Sequence, residues 1–132
     1  MEIIKTTSKT MLMLVVLSSF MFFSCKKDAV PDRDKFIGSY RSVSDNCRTT
    51  SYQITVTTSS QAGDKIILTN LNNVSSLSLT APVSGASFTF EPTTVNNQTI
   101  TGNGILNGSV LNINYSVQGT TSFNCTASFN KL

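Results

Sequence analysis

The sequence predicts an all-β fold: an antiparallel up-and-down meander of about eight strands, closed or half-open as a barrel and preceded by a helical signal peptide. Three observations lead there. Ser, Thr, Asn and Val dominate the composition and charged residues are only 13%. That mixture disfavours helix, because short polar side chains compete for the backbone and β-branched ones are stiff at χ1. Beyond residue 35 the apolar residues alternate with a period of two, with no repeat of helical period. Finally, Asn107-Gly108 separates two alternating runs, as in a two-residue hairpin.

At the N-terminus, Lys5 and Lys9 form a weakly basic start, followed by the 13-residue apolar run Met11 to Phe23. As a helix this run spans about 20 Å, short of the roughly 30 Å hydrocarbon core of a bilayer. With the small residue Ser24 after it, it reads as a secretory signal. The stretch FFSCKKD, Phe22 to Asp28, then resembles the lipobox of bacterial lipoproteins, and its SCKKD ending is similar to small lipoproteins of Bacteroidota. Phe22 and Phe23 stand where the usual pattern has Leu and a small residue. The resemblance implies cleavage between Ser24 and Cys25 and diacylglycerol on Cys25. It therefore implies a lipid anchor in the cell envelope, at the outer membrane. On this reading residues 1–24 are the signal peptide and 25–35 a flexible tether, with Lys26, Lys27, Asp28 and Pro31 as its polar content. Two or three acyl chains anchor stably where one binds only marginally.

Residues 36–132 form the β domain. The first strand runs from Phe36 to Val43, and Tyr52, Ile54 and Val56 alternate with Gln53, Thr55 and Thr57. Ser59 to Asp64 supplies a turn before Lys65 to Leu71. Leu77, Leu79 and Ala81 continue the alternation until Pro82, and Phe88 and Phe90 share one face of a short strand closed by Pro92. A turn at Asn107-Gly108 pairs Leu106 with Ser109, Gly104 with Leu111 and Gly102 with Ile113, setting two glycines against bulky aliphatics. Such glycines permit close packing and strong curvature. Phe123, Cys125, Ala127 and Phe129 alternate at the C-terminus.

Gly38 and Tyr40 resemble, in spacing, the first strand of lipocalin-like domains, with Tyr where lipocalins carry Trp. The resemblance implies a lipocalin-like barrel, in which Tyr40, Tyr52, Phe88, Phe90, Tyr115, Phe123 and Phe129 are the candidate lining of a pocket for a small apolar ligand. The same alternating aromatics also suit a filled core. With Cys25 assigned to lipid, Cys47 and Cys125 remain as an even pair in an oxidising compartment. A bridge closing a loop of roughly 80 residues is worth about 4–5 kcal/mol in the chain-entropy model.

Little in the chain is suited to catalysis. There is no histidine, which removes the commonest base and metal ligand. Close CxxC spacing is also absent. Asp45 and Glu91 remain as an acid pair, each beside a turn. The GNGILNG run (102–108) has the wrong spacing for a phosphate loop. Cations are scattered singly apart from Lys26-Lys27, which argues against nucleic acid as a partner. The expectation is a non-enzymatic, membrane-anchored envelope lipoprotein without metal or cofactor. It would be a binding or accessory module, or a module that docks an envelope protein without any small ligand.

Overall fold

A computed structural model describes residues 32–61 and 63–132. Ser24, Cys25 and the first part of the tether lie outside the described residues. Nine strands follow one another: β1 (Gly38–Asp45), β2 (Gln53–Thr58), β3 (Lys65–Thr69), β4 (Ser78–Ser84), β5 (Ser87–Thr89), β6 (Thr93–Val95), β7 (Gln98–Asn107), β8 (Val110–Gln118) and β9 (Phe123–Lys131). All pairings are antiparallel, in the order β5-β4-β3-β2-β1-β9-β8-β7-β6. A further pairing of β5 with β7 closes eight strands into a barrel and leaves β6 as an extra strand on β7. The all-β barrel expected from the sequence is therefore present. Among the described residues no helix is long and apolar enough to cross a membrane.

Period-two alternation does the sorting. Along β8, Leu111, Ile113, Tyr115 and Val117 are buried while Asn112, Asn114 and Gln118 are exposed. Tyr40, Ile54, Val56, Ile66, Leu68, Leu79, Ala81, Ala127 and Phe129 point inward from the other strands into the same contiguous core. Closure makes one demand that these residues cannot relax. Phe88 on β5 stands opposite Gly104 on β7, and a Cβ on Gly104 would run into the Phe88 ring. The ring fills the space that any other residue at position 104 would need. Phe88 then packs edge-on against Phe36 at 5.3 Å and beside Phe90 at 5.2 Å.

Two local readings change. The β7–β8 hairpin turns at Gly108-Ser109, because Asn107 pairs with Val110 and Leu106 with Leu111. Only Gly108 has positive φ there (+61°), the requirement of a type II′ turn. The pairing therefore moves by two residues and preserves the inward face: Gly102 meets Tyr115 and Gly104 meets Ile113. A turn with positive φ at both central residues occurs instead at Asn96-Asn97 (52° and 60°), between β6 and β7. Pro82 lies within β4 instead of ending it, opposite Lys65. The β4–β5 ladder begins at Val83, so the proline nitrogen faces past its end and no donor is missed.

The described residues begin at Asp32, inside the segment assigned to the tether. Asp32–Phe36 forms a 3-10 turn across the end of the barrel that carries the β2–β3, β4–β5 and β7–β8 turns. Arg33 Nη1 donates to Ser59 O at 3.3 Å, and Asp32 Oδ2 accepts from Gly85 N at 3.1 Å. Phe36 is fully buried and its carbonyl accepts from the Tyr40 hydroxyl at 2.8 Å. Phe36 thus stoppers this end.

The Gly104–Phe88 contact generates a prediction. Gly104→Ala overpacks the core and destabilises the fold by about 1–3 kcal/mol or more. Adding Phe88→Leu recovers part of that loss, a coupling that a double-mutant cycle in urea measures. Additive losses would show that the two positions do not compete for one space.

Candidate functional site

The far end of the barrel carries the only buried polar network that joins several elements among the described residues. It begins with a bulge. Ser42 pairs with Phe129 but Ser44 with Ser128, so Val43 is the extra residue and is 65% exposed. Without the bulge, Asp45 would take the outward parity of Arg41. With it, Asp45 stands opposite Ala127 and shares that residue's inward direction. One irregular residue thus turns a carboxylate into the barrel mouth.

The carboxylate accepts three hydrogen bonds. Tyr52 and Tyr115 donate to Oδ2 at 2.6 and 2.8 Å, and the Cys47 backbone N–H donates to Oδ1 at 2.9 Å. Asn72 enters from the loop between β3 and β4. This loop contains a 3-10 turn, Leu71–Asn73, with positive φ at Asn70, Asn72 and Asn73. Asparagine tolerates that left-handed geometry better than most residues, so a run of asparagines folds back over the mouth. Asn72 N–H donates to the Tyr52 oxygen at 3.2 Å, and its Oδ1 accepts from Arg48 Nε at 2.8 Å with the Tyr115 hydroxyl 3.2 Å away. Asn72 and Leu71 are buried, which makes this loop the stopper of the second end.

Covalent linkage completes the assembly. Cys47 and Cys125 form a disulfide across a sequence separation of 78 residues, as expected. It ties the β1–β2 loop to β9. Asn46 reinforces the tie: its N–H donates to Thr126 O and its Oδ1 accepts from Thr126 N. The Asp45, Cys47 and Cys125 ligand atoms lie within 4.8 Å of one another. Both sulfurs are bonded to each other, however, so the donor set reduces to one carboxylate.

Burial is the main cause that raises the phenol pKa values of Tyr52 and Tyr115, and their hydrogen bonds to Asp45 add to it. Burial alone raises that of Tyr40. At neutral pH all three are donors, and none is poised to act as a base. Glu91 lies elsewhere, exposed and paired with Lys65 at 2.6 Å. Asp45 and Glu91 therefore share no cleft, as a two-carboxylate mechanism would require.

Of the seven aromatics named from the sequence, Tyr40, Tyr52, Phe88, Phe90, Tyr115 and Phe129 are buried in the core. Tyr52 packs edge-on against Phe129 at 5.6 Å. Phe123 sits at the mouth, 37% exposed. Two depressions of about 310 Å³ each open on the outer surface, one over β7–β9 and one beside Arg41, Ser51, Tyr52 and Gln53. The contributions of Asn72 and Arg48 to the network were not foreseen from the sequence. The Asn-Leu-Asn-Asn run held the signal, as a loop able to adopt repeated positive φ. No family model, curated protein or solved structure matches the chain.

Two predictions follow from this geometry. Asp45→Ala leaves the Tyr52 hydroxyl without its acceptor and the Tyr115 hydroxyl with only the longer bond to Asn72 Oδ1, and lowers stability by about 1–3 kcal/mol, while Asp45→Asn, which keeps a carbonyl, loses less. Urea unfolding of both variants checks the order. The chain has three tyrosines, all with raised pKa. Groups that hold their protons more tightly when folded contribute fully below the unfolded value of about 10 and lose that contribution above it. Phenolate absorbance should therefore stay low past pH 10 and then rise together with loss of the fold. A separate phase titrating near 10 in the folded protein would contradict the burial described here.

Proposed function

We propose that this protein is a lipid-anchored envelope module that works by presenting the outside of a packed barrel to a partner, without catalysis. The observation that carries the reading is the division of labour between the two barrel ends. The chain enters the described domain at Asp32, on the end stoppered by Phe36. An anchor on Cys25 would hold that end toward the membrane. The mouth built on Asp45, with the exposed Arg48 in its β1–β2 loop, would then lie one strand length away. For eight residues that is roughly 25 Å. The aromatic side chains that would line a ligand chamber pack against one another, which favours docking at the surface over an enclosed apolar ligand.

Cys25→Ser tests the anchor. The expected result is a shift of the protein from the membrane fraction to the soluble envelope fraction, with loss of metabolically incorporated fatty acid. A variant still sedimenting with membranes would identify Met11 to Phe23 as a retained anchor and overturn the lipid assignment.

A further inference from the structure

No charged residue occurs between Glu91 and Lys131, although charged residues make up 13% of the chain. The fold gathers most of that stretch into β7, β8 and β9, which are neighbours in the barrel. Their outward positions form a charge-free face. Register aligns its centre into two rows: Thr101, Ser116 and Asn124 in one, and Asn103, Asn114 and Thr126 in the next. Strand geometry spaces such positions about 4.8 Å apart across strands and about 7 Å along them. The open depression of about 310 Å³ on this face is bounded by these six residues together with Gly102, Tyr115 and Cys125, at the small end of ligand clefts (~300–1,000 Å³). It lies over Gly102, where β7 comes so close to β8 that a Cβ would touch Asn114 O and Tyr115 Cα.

Two of the carboxamides are held in place by their neighbours. Ser116 Oγ donates to Asn124 Oδ1 at 2.6 Å, and Thr126 Oγ1 donates to Asn114 Oδ1 at 3.1 Å. These bonds fix the two amide planes and leave the amide N–H₂ groups without a partner among the described residues. The face thus offers oriented donors and hydroxyl acceptors with little rotamer entropy left to lose.

We infer that the outer face of β7–β9 is a binding surface for a neutral polysaccharide chain. The chemistry narrows the occupant by elimination. Phosphate or uronate polymers require cations, and none lies on these rows. Protein interfaces are anchored by aromatics and arginine, which are also absent from the outward positions here. An acyl chain would strand the carboxamides unpaired. Vicinal hydroxyls on a neutral sugar both donate and accept, and they pair with a carboxamide without the desolvation of any ion. The inference deepens the proposed surface-docking role but does not depend on the lipid anchor.

The test is affinity electrophoresis of the full-length chain, extracted in a polyoxyethylene detergent, through gels containing dextran, galactomannan, mixed-linkage β-glucan or, as the anionic comparison, alginate. At least one neutral polymer should retard the protein, and added salt should leave the retardation unchanged. Asn114→Asp with Asn124→Asp, nearly isosteric at exposed positions, should weaken it at least tenfold with an unchanged thermal melt. Thr57→Asp, exposed on β2, should leave it intact. Retardation by alginate alone, by no polymer, or equally in the double variant would overturn the inference. Membrane release of Cys25→Ser bears on the anchor only, so the two readings fail separately.

Discussion

Everything in this domain depends on one closure, the three residue pairs between β5 and β7. Without them the nine strands are an open sheet with β5 and β6 as edges. With them, eight strands share one interior. β5 has only three residues, so its ladder bonds contribute little, and the closure is secured by what Phe88 does inside. Its ring covers Gly104 and meets Phe36 and Phe90. A single aromatic thus links the closing strand, its partner and the stopper of the first end. Local order at β5 is therefore coupled to the docking of the Asp32–Phe36 turn.

The opposite end solves a different problem. Barrel mouths expose backbone and apolar rim together, and this one is covered by a loop of left-handed asparagines instead of a helix. A loop so short has little apolar area with which to hold itself down. The Asp45 carboxylate supplies what area does not, gathering donors from Tyr52 just before β2, from β8 and from Cys47 in the β1–β2 loop, while Asn72 and Arg48 join the covering loop to the same network. A buried network of this kind is an asset only when each member is satisfied. Here both Asp45 oxygens, the two tyrosine hydroxyls and Asn72 Oδ1 have partners, and the disulfide limits how far β9 and the β1–β2 loop can separate.

The sequence reveals the fold more readily than this site. Alternation in β2, β8 and β9 is written in adjacent residues, so the class, the meander order and the inward set follow directly. Closure by β5 on β7 is a long-range event, visible only as unexplained glycines opposite bulky residues. Turn placement sits between these cases. Asn107-Gly108 and Gly108-Ser109 are both good two-residue loops, and they differ by an even shift that leaves the inward face unchanged. Patterning alone does not separate them; the observed pairing of Asn107 with Val110 and the positive φ of Gly108 do. Asp45 is the hardest to read, because strict alternation from Tyr40 would turn it outward. Its inward direction depends on the bulge at Val43, a residue whose identity gives no hint of it.

Closure also explains how so neutral a surface is tolerated. Open sheets protect their edges with charged side chains against pairing with other chains. In the closed barrel β7, β8 and β9 each have a paired strand on both sides, so none of them is an edge to defend, and their charge-free outward positions carry no cost of that kind. Freed from edge protection, these positions need only remain hydrated, which Asn, Ser and Thr accomplish. The face runs along the side of the barrel, from the stoppered end to the mouth. An anchor at the stoppered end would leave that side open along its length, as an extended polymer requires. A compact ligand would make no use of a face this long, which is why a chain-like occupant fits this geometry better than a monosaccharide.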